Sequence, residues 1–249
     1  MRILFVGVFD TTKKSTNTSQ ILAFRKLGVN ITGYNYRRRA AALGDEKRDQ
    51  ELIDLIADRS FDLIVYSKCN EISIKVFQES RKYSKTCLWF MDPLISYIEE
   101  VRRKTPLVDY FCCDKLNVLE EAKKYNKNSF YVGEGFDETV AYPVENVEKK
   151  YDVTFIGNIY GDRAGKIDNI KYPLNIITNA FGRKHAKVVS QSKINLNFCT
   201  SNGASDRVYK ILAAGGFLLT DDWYGRSKMF EDGKDLVVFY GIDDLNYKI

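Results

Sequence analysis

Short apolar runs alternate with longer helical stretches along the first half of the chain, and this alternation constrains the fold more than any other feature. The first run, Ile3–Val8, is continuously apolar, as expected for a parallel strand that is covered on both faces. Further strands are predicted at 29–34, 61–66, 86–91, 108–113 and 129–132, and helices near 46–58, 73–83, 95–103 and 115–125. Alternating units of this length, about 20–30 residues, predict a doubly wound parallel sheet.

A polar segment at 138–150 interrupts the alternation, and we predict that it is a linker because it contains Pro143 and a run of charges. The alternation then resumes, with strands near 151–157, 175–178, 194–198, 217–221 and 236–239 and helices near 183–192, 205–214 and 225–230. The sequence therefore predicts two α/β domains, residues 1–137 and 151–249. Ligands are expected in a cleft that the carboxyl ends of both sheets line.

Composition narrows the class of protein. The chain is 45% hydrophobic and 29% charged, as in an ordinary globular protein, and we expect neither a membrane span nor a signal peptide. Five cysteines without CxxC spacing and a single histidine suggest no metal site, and they favour free thiols in a reducing cytoplasm. The net charge of +5 fits an anionic ligand or loose contact with a membrane surface, but it gives no specific nucleic-acid signal.

The segment 192–222, SKINLNFCTSNGASDRVYKILAAGGFLLTDD, carries the most chemical information. A predicted strand leads into a loop rich in Gly, Ser and Asn, and then into a helix that opens at Ser205, Asp206 and Arg207. The helix N-terminus offers backbone N–H groups and a positive dipole end to a diphosphate, and Arg207 adds a fork of donors. The alternative is a structural role, in which Ser205 or Asp206 caps the helix and Gly215 and Gly216 end it.

This segment resembles the second domain of GT-B glycosyltransferases, together with YDVTFIGNIYGDR at 151–163 and MFEDGKDLVVF at 229–239. The group that it resembles most is that of the spore-maturation (CgeB-like) glycosyltransferases. Weaker likenesses in the first half are MRILFVG at 1–7, WFMD at 89–92 and the Gly-Phe-Asp turn at 135–137. The resemblance implies two Rossmann-like domains facing a cleft, and a hexosyltransferase-like enzyme that moves a sugar from a nucleoside diphosphate to a hydroxyl acceptor.

The resemblance also implies the residues that bind the sugar nucleotide. They are Gly157, Asn158, Arg163, Asn197, Ser205, Asp206, Arg207 and Lys210. Gly157 and Asn158 would border the nucleotide, Asn197 and the loop Asn202–Asp206 would line the sugar and phosphates, and arginines would hold the diphosphate. Such enzymes typically stabilise the leaving nucleoside diphosphate without a bound metal, so neither a metal nor a cofactor is expected here.

Two positions depart from the family pattern. Many GT-B enzymes have a glutamate five residues before the glycine that ends this helix, where it contacts the ribose, but counting back from Gly215 gives Lys210. A cation cannot accept hydrogen bonds from ribose hydroxyls, so Lys210 either binds phosphate or is a solvated helix residue. The sequence also stops at 243–249, where a closing helix is expected to begin, so the C-terminal closing helices of the fold are expected to be missing. The alternative function is a non-catalytic module that binds a nucleotide or sugar nucleotide.

Asp92 and Asp10 are the candidates for the base that deprotonates the acceptor. Each follows a predicted strand of the first domain, where a carboxylate can reach a hydroxyl at the edge of the sheet. The alternative for Asp92 is that it caps the helix after Pro93. His185 is predicted to be an ordinary surface residue. The donor base, the sugar, the acceptor and the anomeric outcome stay open.

Overall fold

A computed structural model describes residues 1–10, 15–199 and 203–249 of the chain. The chain divides into two compact units, residues 1–133 and 134–249, and each unit is built on one parallel sheet. The predicted α/β fold with two Rossmann-like parallel-sheet domains is therefore confirmed. No helix among the described residues is long and apolar enough to cross a membrane.

The first unit contains six parallel strands, each of which begins and ends within two residues of a predicted strand. They are β1 (Arg2–Gly7), β2 (Asn30–Asn35), β3 (Leu63–Ser67), β4 (Lys85–Phe90), β5 (Tyr110–Cys113) and β6 (Ser129–Tyr131). Their order in the sheet is β2-β1-β3-β4-β5-β6. Successive residues of β1 face opposite sides, so that Leu4 and Val6 pack in one core cluster while Ile3 and Phe5 pack in another. Burial on both faces explains the continuous apolar run.

Six α-helices accompany this sheet in the described part of the first unit. They are α1 (Thr16–Lys26), α2 (Tyr36–Leu43), α3 (Asp45–Asp58), α4 (Ile74–Ser80), α5 (Leu94–Ser96) and α6 (Leu116–Ala122). The sequence did not predict α2, because its three arginines look like a solvated run; the side chain of Asn35 caps it by accepting a hydrogen bond from Arg38 N. The helix predicted at 95–103 is irregular, since α5 continues as a π-helix, Tyr97–Val101, and a 3-10 helix, Arg102–Leu107, that contains Pro106.

The second unit contains five parallel strands, and all five were predicted. They are β7 (Tyr151–Ile156), β8 (Asn175–Ile177), β9 (Ser192–Asn197), β10 (Leu218–Asp221) and β11 (Val237–Phe239), in the order β11-β10-β9-β7-β8. The helices are α7 (Arg163–Asp168), α8 (Arg183–Gln191), α9 (Asp206–Ala213) and α10 (Gly241–Lys248). The helix predicted near 225–230 is a short 3-10 turn, Arg226–Lys228. The sequence did not predict α7, which follows Gly161 and contains Gly165.

The segment 138–150 packs on the second unit. The side chain of Ala141 is buried, Val144 N donates a hydrogen bond of 3.0 Å to Ser190 Oγ, and Lys150 N donates one of 2.8 Å to Gln191 O. Its proline, Pro143, lies beside Gly215 at the end of α9. The segment therefore packs as part of the second unit. The domain bounds 1–137 and 151–249 and the linker role of 138–150 stay predictions.

The end of α9 is a Schellman motif, as the two glycines suggest. Gly215 has a φ of +69°, its N–H donates to Leu212 O, and the N–H of Gly216 donates to Ile211 O. A Cβ on Gly216 would lie 2.4 Å from Val189 Cγ1 and 2.9 Å from Asn195 Nδ2, both of which are buried. The close approach of α8 and β9 to this turn therefore requires a glycine at position 216.

We expect Gly216→Ala to lower the free energy of unfolding by about 2 kcal/mol, because the added methyl group overpacks a rigid core. Urea unfolding of the variant and the wild type measures the change. Gly165→Ala in α7 is the matched control, because a Cβ there would meet nothing within 4 Å. That control should leave stability equal or slightly higher, since alanine favours a helix. Equal losses in both variants would contradict the crowding that the structure shows at position 216.

Candidate functional site

The carboxyl end of β7 brings a glycine into contact with an arginine from another element. Gly157 follows β7 directly and has a φ of +150°, a conformation that side chains rarely adopt. A Cβ at this position would lie 2.7 Å from Nη2 of Arg207, in the first turn of α9. The absence of a side chain on Gly157 therefore lets the guanidinium lie against the backbone at the end of the strand.

Neutral groups hold Arg207 in this place. Its Nη1 donates a hydrogen bond of 2.8 Å to Asn197 Oδ1, and its guanidinium carbon lies 5.0 Å from the centre of the Phe155 ring. The contact with the ring is a cation–π interaction, which favours a planar cation. Burial and the positive charge of Arg163 lower the pKa of Arg207 below its ordinary value. Arg207 nevertheless stays charged at neutral pH, because an arginine side chain does not lose its proton in proteins.

Arg163 approaches the same ring from α7. Its Nη1 donates a hydrogen bond of 3.2 Å to Asn158 O, and its Nη2 donates one of 3.2 Å to Phe198 O. The guanidinium lies 4.3 Å from the centre of the Tyr160 ring, and only 3% of the residue is exposed. Asn158 itself is exposed at the end of the strand.

Two guanidinium groups thus converge at one end of the second sheet. Arg163 lies 5.9 Å and Arg207 lies 5.0 Å from the centre of the same Phe155 ring. Like charges this close repel each other, and the lowered pKa of Arg207 has the Arg163 charge as a cause. An anion between or beside them would relieve that repulsion, and guanidinium forks match the oxygens of phosphate.

Asn197 supports this arrangement from inside the protein. It is the last residue of β9 and is fully buried, with Nδ2 donating a hydrogen bond of 2.9 Å to Thr220 Oγ1. Its Oδ1 accepts from Arg207 and, at 3.2 Å, from Ser205 Oγ. The side chain has no exposed surface, and it orients Arg207 and Ser205. The expectation that Asn197 lines the sugar stays a prediction.

The N-terminus of α9 has no side-chain cap from the residue that precedes it. Ser205 occupies the capping position, but its hydroxyl donates to Asn197 and accepts no backbone N–H of the first turn. The structural alternative for Ser205 is therefore wrong in this respect. Backbone N–H groups at a helix start carry partial positive charge and bind anions well. The predicted loop Asn202–Asp206 begins at a residue that lies outside the described part of the chain.

Asp206 and Lys210 form an ion pair one helical turn apart on α9. Burial alone would raise the pKa of Asp206, but the charge and hydrogen bond of Lys210 lower it overall. Lys210 thus neutralises the carboxylate in the first turn of its own helix. Such neutralisation weakens the repulsion between that carboxylate and an anion bound at the helix start. The choice between phosphate binding and a solvated position for Lys210 stays a prediction.

His185 lies close to the same charges, although the sequence predicted an ordinary surface residue. It is partly buried in the first turns of α8, which packs against α9. Burial, followed by the positive charges of Lys210 and Arg207, lowers the pKa of His185 to about 4. The imidazole is thus neutral at physiological pH. No local pattern in the sequence indicated this, because the neighbours come from a helix about twenty residues further along the chain.

The two carboxylates that are candidates for the base lie on the carboxyl edge of the sheet of the first unit. Asp92 follows β4, where Lys68 Nζ donates a hydrogen bond of 2.5 Å to Asp92 Oδ1. Asp10 follows β1 and is exposed, and its backbone N–H donates to Thr18 Oγ1 at 2.9 Å. Because β3 lies between β1 and β4, the two strands are about 10 Å apart. The two carboxylates therefore belong to one edge but do not form a close pair.

Asp92 does not act as the predicted cap of the following helix. Pro93 occupies the capping position of α5, and this helix has no side-chain capping bond. Within the described ranges, no group of three His, Cys, Asp or Glu residues lies close enough to hold a metal ion.

Lys166 is a further cation that sequence reasoning missed; it pairs with Asp221 at the end of β10 at 3.2 Å.

The structure brings together most of the predicted donor residues. Gly157, Asn158, Arg163, Asn197, Ser205 and Arg207 are joined by direct contacts, and Asp206 and Lys210 follow on the same helix. The aromatic supports Phe155 and Tyr160 were missed, because a strand pattern explains them as core or surface residues. Their roles depend on which guanidinium lies over each ring, and only the tertiary structure gives that.

Comparison with known proteins gives a family match for part of the chain and structural matches for its fold. Residues 141–249 match the family model described as glycosyl transferase-like. Among solved structures, the lipopolysaccharide outer core galactosyltransferase WaaB is similar, with 13% identity, a TM-score of 0.64, and coverage of 99% of this chain and 88% of that one. The sucrose-phosphate synthase of Thermosynechococcus elongatus has 10% identity and a TM-score of 0.68, over 99% and 87%. A search of the curated proteins found no match.

The T4 phage protein BGT, solved with its UDP-glucose substrate, is similar as well, with 14% identity, a TM-score of 0.55, and coverage of 100% of this chain and 88% of that one. Identities this low show the fold alone. The chain therefore has the GT-B fold, in which two Rossmann-like parallel-sheet domains follow each other. The likeness to a glycosyltransferase family rests on residues 141–249, which match the glycosyl transferase-like model.

The titration of His185 gives a test of the charges around α9. Between the pKa of about 4 in the folded protein and the ordinary value of 6.5, the unfolded chain binds a proton that the folded protein does not. This residue therefore lowers folding stability as the pH falls from 6.5 towards 4. We expect the loss between about pH 7 and about pH 5 to be smaller in His185→Gln, by about 1–2 kcal/mol.

Urea unfolding of both proteins at the two pH values measures this difference. The comparison is clean because the chain has one histidine. If the variant and the wild type lose the same free energy of unfolding on acidification, then burial and the charges of Lys210 and Arg207 do not lower the pKa of His185.

Proposed function

We propose that the protein is a metal-independent glycosyltransferase, which moves a sugar from a nucleoside diphosphate to a hydroxyl acceptor. The observation that carries this proposal is the convergence of Arg163 and Arg207 beside Gly157, at the uncapped start of α9. Two guanidinium forks and a helix N-terminus together suit a diphosphate better than a single phosphate or a carboxylate. The GT-B fold and the family match support the same conclusion.

In this proposal each residue of the donor site has a defined task. Arg163 and Arg207 bind the diphosphate and stabilise the charge that develops as it leaves. Gly157 and the exposed Asn158 border the nucleotide, where the missing side chain lets the backbone come close. Ser205 and Asp206 form the start of α9, which contributes its N–H groups.

Asn197 and Lys210 support the site without a direct contact to the donor. Asn197 is buried and fixes Arg207, so that the cation is oriented before the substrate arrives. Lys210 neutralises Asp206, so the first turn of α9 presents less negative charge to the phosphates. The ribose contact that a glutamate makes in many GT-B enzymes is therefore not supplied by this position.

Asp92 is the proposed base of the acceptor side, and Asp10 is the second candidate. The O–H bond of the acceptor breaks, its proton passes to the carboxylate, and its oxygen forms the new bond to the anomeric carbon. The bond between that carbon and the diphosphate oxygen breaks, and its electron pair leaves with the nucleoside diphosphate. General-base assistance of this kind contributes about 10²–10⁴-fold to a rate.

Other features support narrower parts of the proposal. The phage protein binds UDP-glucose, which makes a uridine nucleotide the first donor to test. All five cysteines are free thiols, which suits the reducing cytoplasm. The likeness to the spore-maturation (CgeB-like) group and a loose contact with a membrane surface rest on the sequence alone. A non-catalytic sugar-nucleotide binding module is the alternative, and donor turnover separates the two.

Thermal unfolding with UDP, GDP, ADP, CMP, TDP or NAD, each with and without EDTA, tests the donor site. A ligand at about 100 times its dissociation constant should stabilise the fold by about 2.7 kcal/mol and raise the Tm by a few degrees. We expect one nucleoside diphosphate to do so with EDTA present. We also expect Arg207→Ala to remove the shift, because it deletes a fork of donors to the diphosphate.

Arg183→Ala is the matched control, since Arg183 is an exposed arginine in the first turn of α8 and lies near Tyr142. This variant should keep the full shift. A shift that EDTA abolishes would contradict metal independence. No shift with any of the diphosphates, or a shift that survives in Arg207→Ala, would contradict the proposed donor site.

A further inference from the structure

Lys68 and Asp92 form an ion pair on the carboxyl edge of the first sheet. Lys68 follows β3 and Asp92 follows the neighbouring strand β4, and the Nζ–Oδ1 distance is 2.5 Å. Both side chains remain partly exposed, at 42% and 29%. A pair with this exposure contributes little to stability, since solvent screens it and two side chains must be ordered. A contribution to stability alone therefore does not explain the buried contacts, described below, that hold the backbone around the pair.

The backbone at Lys68 is in an uncommon conformation. Lys68 has a φ of +61° and Cys69 one of +53°, a left-handed region that non-glycine residues enter at a cost. The N–H of Lys68 donates a hydrogen bond of 2.8 Å to Trp89 O, which ties the residue to β4. The turn thus aims the side chain of Lys68 along the edge of the sheet towards the residue that follows β4.

Two buried cations hold this turn from behind. Lys104 Nζ donates to the carbonyl oxygens of Cys69, at 3.0 Å, and of Asn70, while Arg48 Nη2 donates to Glu71 O at 2.9 Å. Lys104 is 5% exposed and Arg48 is fully buried. Burying a cation is costly unless acceptors surround it, so Lys104 favours the conformation that supplies these carbonyls. Arg48 is also compensated by ion pairs with Asp45, at 3.0 Å, and Asp49, at 2.7 Å. Burial also lowers the pKa of Lys104 to about 8.

The backbone carbonyl of Met91, next to Asp92, is held as well. Lys115 Nζ donates a hydrogen bond of 3.0 Å to Met91 O and pairs with Asp114 at 2.6 Å, and both side chains are buried. Within residues 1–10, 15–199 and 203–249, the hydrogen bond to the Asp92 carboxylate goes to Oδ1 alone. Oδ2 is therefore left for a hydroxyl group from solvent or substrate.

We propose that Lys68 is a positioning residue for Asp92: it binds Oδ1 and thereby holds Oδ2 in the orientation that accepts the proton of the acceptor hydroxyl. The inference rests on the proposed function, since it assigns Asp92 the role of base. Lys68 itself transfers no proton and touches no reacting atom. A misplaced base loses much of its effect, because general-base catalysis requires a short hydrogen bond to the proton that is removed.

The same strand offers a matched control. Lys85, at the amino end of β4, pairs with Asp109 at an Nζ–Oδ1 distance of 2.9 Å. This pair has the same residue types, with a lysine that is 65% exposed, but it lies at the opposite edge of the sheet. Lys85→Met therefore removes a comparable ion pair without touching the proposed machinery.

A double-mutant cycle at Lys68 and Asp92, measured on the full-length protein, tests the inference. The probe is release of nucleoside diphosphate from UDP-glucose, ADP-glucose, GDP-mannose and TDP-glucose, with water as the acceptor. We expect Asp92→Asn to lower kcat by about 10²-fold or more, and Lys68→Met to lower it by about 10–100-fold. The donor KM and the affinity for the free diphosphate should change by less than about twofold, since neither residue binds the donor.

The double variant should be no slower than Asp92→Asn alone, because Lys68 acts only through Asp92. Lys68→Arg should restore most of kcat, since a guanidinium can also donate to Oδ1, and Lys85→Met should match the wild type. Additive losses in the double variant, or an unchanged kcat in Lys68→Met, would overturn the inference. A wild-type protein that binds a diphosphate but releases none from these donors, or that binds no diphosphate at all, would instead overturn the proposed function, and the inference with it.

Discussion

The hydrogen bond from Arg207 to Asn197 is the interaction on which the candidate donor site depends. It fixes a guanidinium against the backbone of Gly157, and it does so with a neutral partner rather than a carboxylate. A carboxylate would hold the arginine more strongly, but it would also cancel the charge that an anionic ligand needs. A buried amide orients the cation and leaves its charge available, and the Phe155 ring beneath it adds attraction without neutralisation.

The first unit also buries a cation against neutral acceptors, but there the contact shapes the backbone of a turn. Lys104 is buried against the carbonyl oxygens of Cys69 and Asn70, and these neutral acceptors shape the turn that carries Lys68. In both units the polar residues follow the carboxyl ends of parallel strands, where the helices begin and backbone groups remain available. The rigid sheet fixes the position of each strand end, and buried polar contacts then fix the side chains that extend from it.

The sequence predicted the sheets well and the site only in part. Strands buried on both faces, such as β1, leave a continuous apolar run that few other structures produce, and Gly215 and Gly216 marked the end of α9 correctly. The helix α2 was missed because Arg37 pairs with Glu71 and Arg39 pairs with Glu51, and both glutamates are distant in sequence. The partners of Asn197, the lowered pKa of His185 and the ion pair of Lys68 were missed for the same reason: burial and charged neighbours from other elements leave no local periodicity.

The ion pair between Asp206 and Lys210 shows how a departure from a family pattern can be compensated within one helix. An acidic residue in the first turn favours the helix dipole, and so Asp206 stabilises α9. The same carboxylate would repel a diphosphate that binds at the helix start. A lysine one turn later resolves this conflict, because it pairs with Asp206 and leaves the charges of Arg163 and Arg207 for the ligand. Under the proposed function, Lys210 therefore favours diphosphate binding at the helix start, although it cannot make the ribose contact that a glutamate makes in many GT-B enzymes.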